Sequence, residues 1–189
     1  PDANWHGADA FGVQVSDGQG GTDTIKVEVT VRPVNDPPTG ADQTVTTFED
    51  TDAVLAPADF GFSDPDDNPA NALNRVKIAT LPTLGTLRLG ATPVTAGQFV
   101  TAADIAAGQL IYRPAQDANG APYTSLTFQV EDDGGTASGG VNLDPTPNTL
   151  TFEVSPVNDA PAGTDSTVTG LEDRNTTLAA ADFGFTDPV

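Results

Sequence analysis

Apolar and polar residues alternate with a period of two along much of the chain. Ile25, Val27, Val29 and Val31 alternate with Lys26, Glu28, Thr30 and Arg32, and Leu150, Phe152 and Val154 alternate with Thr151 and Glu153. Successive side chains of an extended strand point to opposite faces, so each segment predicts a strand with one face in a core and one in water. Shorter candidates are Thr44 to Thr47, Arg75 to Ala79, Thr86 to Leu89, Gln109 to Arg113 and Leu126 to Glu131, each bounded by Gly, Pro, Asn or Asp. Only Thr101 to Ala107 reads as a helical turn, with Thr101 as its cap. About seven short strands at turn-punctuated spacing predict an all-β fold, an antiparallel Greek-key β-sandwich of immunoglobulin-like type. Phe60, Phe62, Tyr112 and Phe128 are its expected core.

The pattern is written more than once. Residues 31 to 65 return at 154 to 188 with an offset of 123, and 22 of these 35 positions are identical without gaps. A weaker echo, offset by 115, links Asp2-Ala3-Asn4 and Val13-Gln14-Val15 to Asp117-Ala118-Asn119 and Phe128-Gln129-Val130. Self-similarity at a fixed period signals an array, and this period is long enough for each unit to be a whole domain. The expected order is the C-terminal part of one repeat (1–32), a complete repeat (33–155) and the N-terminal part of a third (156–189). A chain that opens at Pro1, contains no methionine and stops just after Asp187-Pro188 is expected to be an internal piece of a longer protein.

Composition narrows the function. The formal charge is −20, from 27 acidic against 7 basic side chains. Such a surface repels nucleic acid and anionic lipid, which excludes both as partners. No apolar run approaches the ~20 residues of a membrane span, and there is no cysteine for a disulfide framework. A His- or Cys-centred triad would have to use His6, the single histidine, which the complete repeat lacks. No enzyme is expected. Disorder, the other reading of an acidic Gly- and Pro-rich chain, conflicts with the strand pattern.

The acids are clustered with Asn, Gly and Pro, whereas solubilising charge is usually scattered. Asn35-Asp36, repeated as Asn158-Asp159, lies in the linker between units. Asp64, Asp66 and Asp67, with Asn71, occupy a loop after the second strand. Asp132 sits at the turn between the last two strands, where Asp17 is its match in the first unit. In a seven-stranded Greek key, linker, loop and turn meet at one end of the sandwich. Glu49-Asp50, repeated as Glu172-Asp173, follows the first strand and belongs to the opposite end, where it meets the next linker. Calcium takes 6–8 oxygens at about 2.3–2.6 Å, more than any one of these runs supplies, so both neighbours at a junction are expected to contribute.

These motifs resemble animal cadherins, in which an Asn-Asp linker, an early glutamate, an Asp-x-Asp loop followed by Asn, and an Asp near the last turn bind calcium between domains. Asn35-Asp36, Glu49, Asp64-x-Asp66 with Asn71, and Asp132 stand in that order. The chain is similar, more closely, to cadherin-like repeats of giant bacterial surface adhesins of the type I secreted RTX group, with PVNDAP-type linkers. Departures are the missing Asp-Arg-Glu motif, with Asp117 and Asn119 alone in that region, a turn lengthened over residues 134–148 that carries Asp144, and a third-unit loop that stops after Asp187 with Val189 where Asp66 stands. The resemblance implies Ca2+ as cofactor, an extracellular place at the bacterial cell surface, neighbouring repeats as partners through calcium junctions, and a stiff stalk as function, while lateral self-association into a fibre stays open. The alternative is a ligand-binding module for a glycan or a partner repeat, using Trp5, His6 and the long turn.

Overall fold

The computed structural model describes residues 1–187. The first unit contributes a hairpin of β1 (Gly7–Ser16) and β2 (Thr22–Val31), paired residue for residue from Gly7 with Val31 to Ser16 with Thr22. Then follow β3 (Gln43–Phe48), β4 (Ala53–Val54), a 3-10 turn at Pro57–Phe60, β5 (Leu73–Ile78), β6 (Thr86–Leu89), β7 (Thr92–Pro93) and β8 (Phe99–Thr101). Helix α1 (Ala102–Ala106), β9 (Leu110–Arg113), β10 (Gly120–Asp132) and β11 (Asn148–Ser155) complete the unit. Every strand expected from the alternation forms. Thr101 caps α1, its Oγ1 accepting from the Asp104 amide at 3.1 Å.

Two sheets face each other. One has the order β3-β11-β10-β5-β8 and the other β4-β9-β6-β7. The strand pairs are antiparallel with one exception, the parallel ladder of β3 on β11 that runs from Gln43 beside Leu150 to Phe48 beside Ser155. The expected antiparallel sandwich therefore carries one parallel pair. A unit strung between two linkers takes its chain in at one end and releases it at the other, so its first and last strands run the same way.

The inward side chains close one core. Phe60, Phe128, Tyr112 and Phe152 are fully buried, whereas Phe62 is partly buried against them. Phe60 meets Phe128 edge to face with ring centroids 5.0 Å apart, and Tyr112 stacks on Phe152 at 3.8 Å. The Tyr112 hydroxyl donates to the Leu84 carbonyl at 3.0 Å, which satisfies the one polar atom of that ring.

The repeat is structural as well as textual. The 3-10 turn recurs at Ala180–Phe183, and the bridge between Thr39 and Ser63 recurs between Ala162 and Thr186. Residues 166 to 171, the counterpart of β3, form no strand. β3 is held by β11, and no described strand lies beside 166–171. No described helix is long and apolar enough to cross a membrane.

Phe128→Ala should destabilise the complete unit by about 3–5 kcal/mol in urea unfolding, the usual cost of emptying a core aromatic site. Phe48→Ala, at a position more than half exposed, should change stability by less than about 0.5 kcal/mol.

Candidate metal centres

Acids gather at both ends of the sandwich. At the upstream end the linker supplies Asn35 and Asp36, the loop between the 3-10 turn and β5 supplies Asp64, Asp67 and Asn71, and β10 ends on Asp132. Asp64 and Asp132 are buried, at 6% and 0% exposure. The Asn35 side-chain amide donates to both oxygens of Asp132 at 3.2 Å, the Asp36 amide donates to Asp67 Oδ2 at 3.0 Å, and the Asn71 side chain donates to the same Asp67 oxygen at 3.1 Å and to Asn35 Oδ1. Asp64 Oδ2 accepts from the Asn71 amide at 2.8 Å, but Asp64 Oδ1 is buried with no partner.

Buried carboxylates normally have a cation or a full set of donors beside them. The described ion pairs are Lys26 with Glu28, Arg75 with Glu131 and Arg113 with Asp52, so none of them reaches this cluster. Burial pushes the Asp132 carboxyl above its ordinary value of 3.8, and the negative charges of Asp64 and Asp67 add to the shift. Asp67 is raised for the same leading reason, with Asp64 and Asp36 as its charged neighbours.

The downstream end is built from β3, the approach to β10 and the second linker. Glu49, 1% exposed, accepts from the Val157 amide at 2.5 Å and from the Asn119 side chain at 3.1 Å, so it grips the linker. Asp50 and Asp117 both adopt the left-handed conformation, with φ of 57° and 51°, which Asp tolerates better than most residues. Carboxylate oxygens of Asp50, Asp117 and Asp159 all lie within 4.8 Å of one another. Two oxygens that each sit about 2.4 Å from a common calcium ion are at most about 4.8 Å apart, so this spacing leaves room for one ion between the three carboxylates. Asp159 Oδ2 is buried and unpartnered. Burial raises the Asp159 carboxyl, followed by the charges of Asp117, Asp50, Glu49 and Asp187.

The donors at both ends are carboxylate and amide oxygens, without thiolate or imidazole. That set suits a hard cation, and its irregular geometry suits calcium better than magnesium, which demands a near-ideal octahedron. The residues present fit Ca2+.

Some expected residues stand apart. Asp17 lies outside the acid groups described above. Its carboxylate caps its own turn, accepting from the Gln19 and Gly21 amides at 2.8 and 2.9 Å, and these bonds lower its pKa. Asp66 is exposed and turns away to accept from the Asn4 side chain at 3.0 Å. Asn158 donates to the Asp159 carbonyl at 2.8 Å, and Asp187 is exposed near Asp159. Val189 lies outside the described residues. Asp144, expected only as a departure within the lengthened turn, is buried and fully hydrogen-bonded. Its signal was the Asp-x-Thr-x-Asn spacing with Thr146 and Asn148.

Two facing sheets with junction acids at both ends define an immunoglobulin-like β-sandwich module. The chain belongs to the bacterial Ig domain family, which matches residues 1–30 and again 35–144, breaking at the linker, and whose members are typically structural and not enzymatic. No curated protein and no solved structure matches the chain significantly.

The raised carboxyls fix a sign for pH dependence. A carboxyl raised on folding binds its proton more tightly in the folded state, so its stabilising contribution is lost as pH rises from 3.8 through the raised value. In chelator, the melting temperature should therefore rise on acidification from neutral pH toward the carboxylate range, and Asp132→Asn should flatten that rise. A melting temperature that falls steadily over the same range would contradict the assignment.

Proposed function

We propose that this chain is a calcium-stiffened stalk segment of a secreted bacterial surface adhesin or fibre, made of the end of one repeat (1–32), a complete repeat (33–155) and the opening of a third (156–189). The observation that carries the reading is the pair of buried, unpartnered carboxylate oxygens, Asp64 Oδ1 upstream and Asp159 Oδ2 downstream. A cation at each end gives both atoms a partner and offsets the mutual repulsion of the surrounding carboxylates.

On this reading Asn35, Asp36, Asp64, Asp67, Asn71 and Asp132 hold the upstream ion. Asp50, Asp117 and Asp159 hold the downstream one, with Glu49, Asn158 and Asp187 around it. The ions tie each sandwich to the linker beside it, so a chain of −20 charge becomes a rod and not a coil. Adhesion, export by the type I route and placement on the cell surface come from the resemblance to giant adhesins. A ligand-binding role has one observation in its favour, a cleft of about 230 Å³ lined by Trp5, His6 and Arg32. Its other walls include Asp36, Asp66 and Asp67, so it adjoins the upstream acids, and the calcium reading accounts for both ends at once.

Calcium at about 100 times its dissociation constant should stabilise the folded chain by about 2.7 kcal/mol per site, several degrees in melting temperature. Asp64→Asn and Asp159→Asn should each remove part of that gain, and Asp17→Asn should leave it intact. Identical melting curves in calcium and in chelator would refute the proposal.

A further inference from the structure

The lengthened turn between β10 and β11 crosses the upstream linker and bonds to it at two places. Near the start of the linker, the Val141 amide donates to the Asn35 carbonyl at 3.0 Å and the Asn35 side chain donates to the Val141 carbonyl at 2.7 Å. Near its end, the Gly40 amide donates to Asp144 Oδ2 at 2.8 Å. Asp36 lies between these two grips. Gly40 is required by the closeness of the approach, since a Cβ there would come within 2.5 Å of the Asn148 side chain and 3.3 Å of the Phe128 ring.

Asp144 differs from the junction acids in that it needs no ion. It is 1% exposed, yet both oxygens are satisfied: Oδ1 accepts from the Thr146 amide at 2.9 Å and hydroxyl at 3.0 Å, and Oδ2 accepts from Gly40 and from the Asn148 side chain, each at 2.8 Å. Its backbone is fixed to β10, the amide donating to the Val130 carbonyl at 2.9 Å and the carbonyl accepting from the Gln129 side chain at 2.8 Å. The bonds thus run from the core strand β10 through Asp144 to the linker without passing through any acid of the candidate centre.

We propose that residues 134–148 are a strap that locks the upstream linker onto the sandwich in the absence of calcium, with Asp144 as its positioning residue. The linker's conformational freedom is then lost at folding, and the ion meets Asn35 and Asp36 already in place. The strap stands on its own bonds, and its effect on ion affinity rests on the calcium reading above.

Amide hydrogen exchange of the full chain in chelator, followed by NMR, tests the lock. Gly40 should exchange about tenfold or more slowly than the same amide in the urea-unfolded chain, as expected for an amide bonded to a buried carboxylate. Asp144→Asn sets an amide donor against these donors and should cut Gly40 protection about tenfold while core amides such as Phe128 stay protected. Should that variant lose its core protection as well, Val141→Pro carries the test. It deletes the bond to Asn35 at a position whose predecessor, Gly140, already has the extended backbone that precedes proline (φ −60°, ψ 156°). Gly40 exchanging as fast as in the unfolded chain, or linker exchange unmoved by either variant with the core intact, would overturn the strap. In a calcium titration, Asp144→Asn should weaken the upstream site about tenfold and spare the downstream one. If neither site binds calcium, the stalk reading fails while the strap is still decided by exchange.

Discussion

Repulsion between carboxylates is the constraint on which the rest of this structure depends. The fold concentrates acids at the two ends of one sandwich, buries several of them and brings none of the described ion pairs to them. Asp64 and Asp159 each keep a buried oxygen that accepts from no donor of the protein. Burying charge in this way is unfavourable unless something positive accompanies it. In the proposed stalk that partner is a divalent ion, and the same ions that relieve the repulsion join each sandwich to its linker. The hydrophobic core makes the bead, and in the proposed stalk the carboxylates govern how beads are strung.

Contrast among the acids supports that division. Glu131 is buried beside Asp132 but is neutralised by Arg75, whose Nε lies 2.7 Å away. Asp144 is buried and saturated with donors. Both are structural. Asp64 and Asp159 each bury an oxygen that has no partner. The acids therefore separate by what faces them, and the unsatisfied ones fall where the linkers run.

Much of this was legible in the sequence, for identifiable reasons. Period-two alternation located the strands, and the 123-residue repeat placed Asn35-Asp36 and Asn158-Asp159 as linkers. The order of strands then put Glu49-Asp50 at the far end, where Asp50 does meet Asp117 and Asp159. Alternation does not encode the direction of a neighbouring strand, so the parallel ladder of β3 on β11 was hidden. Asp17 matched Asp132 in motif but not in surroundings, because Asp132 is met by Asn35, 97 residues away. The role of Asp144 depends on Gly40, 104 residues distant. Orphaned oxygens are properties of packing, and no spacing rule announces them.

The family match restarts at residue 35 after ending at residue 30, so the break between its two copies falls within the segment where the upstream acids begin. Ions at such breaks would set the shape of the whole chain. Small-angle scattering of the full chain, recorded in calcium and then in chelator, tests that claim most directly. The account predicts a larger maximum dimension and a stiffer profile with calcium, reversed on chelation. Identical profiles in the two conditions would contradict it.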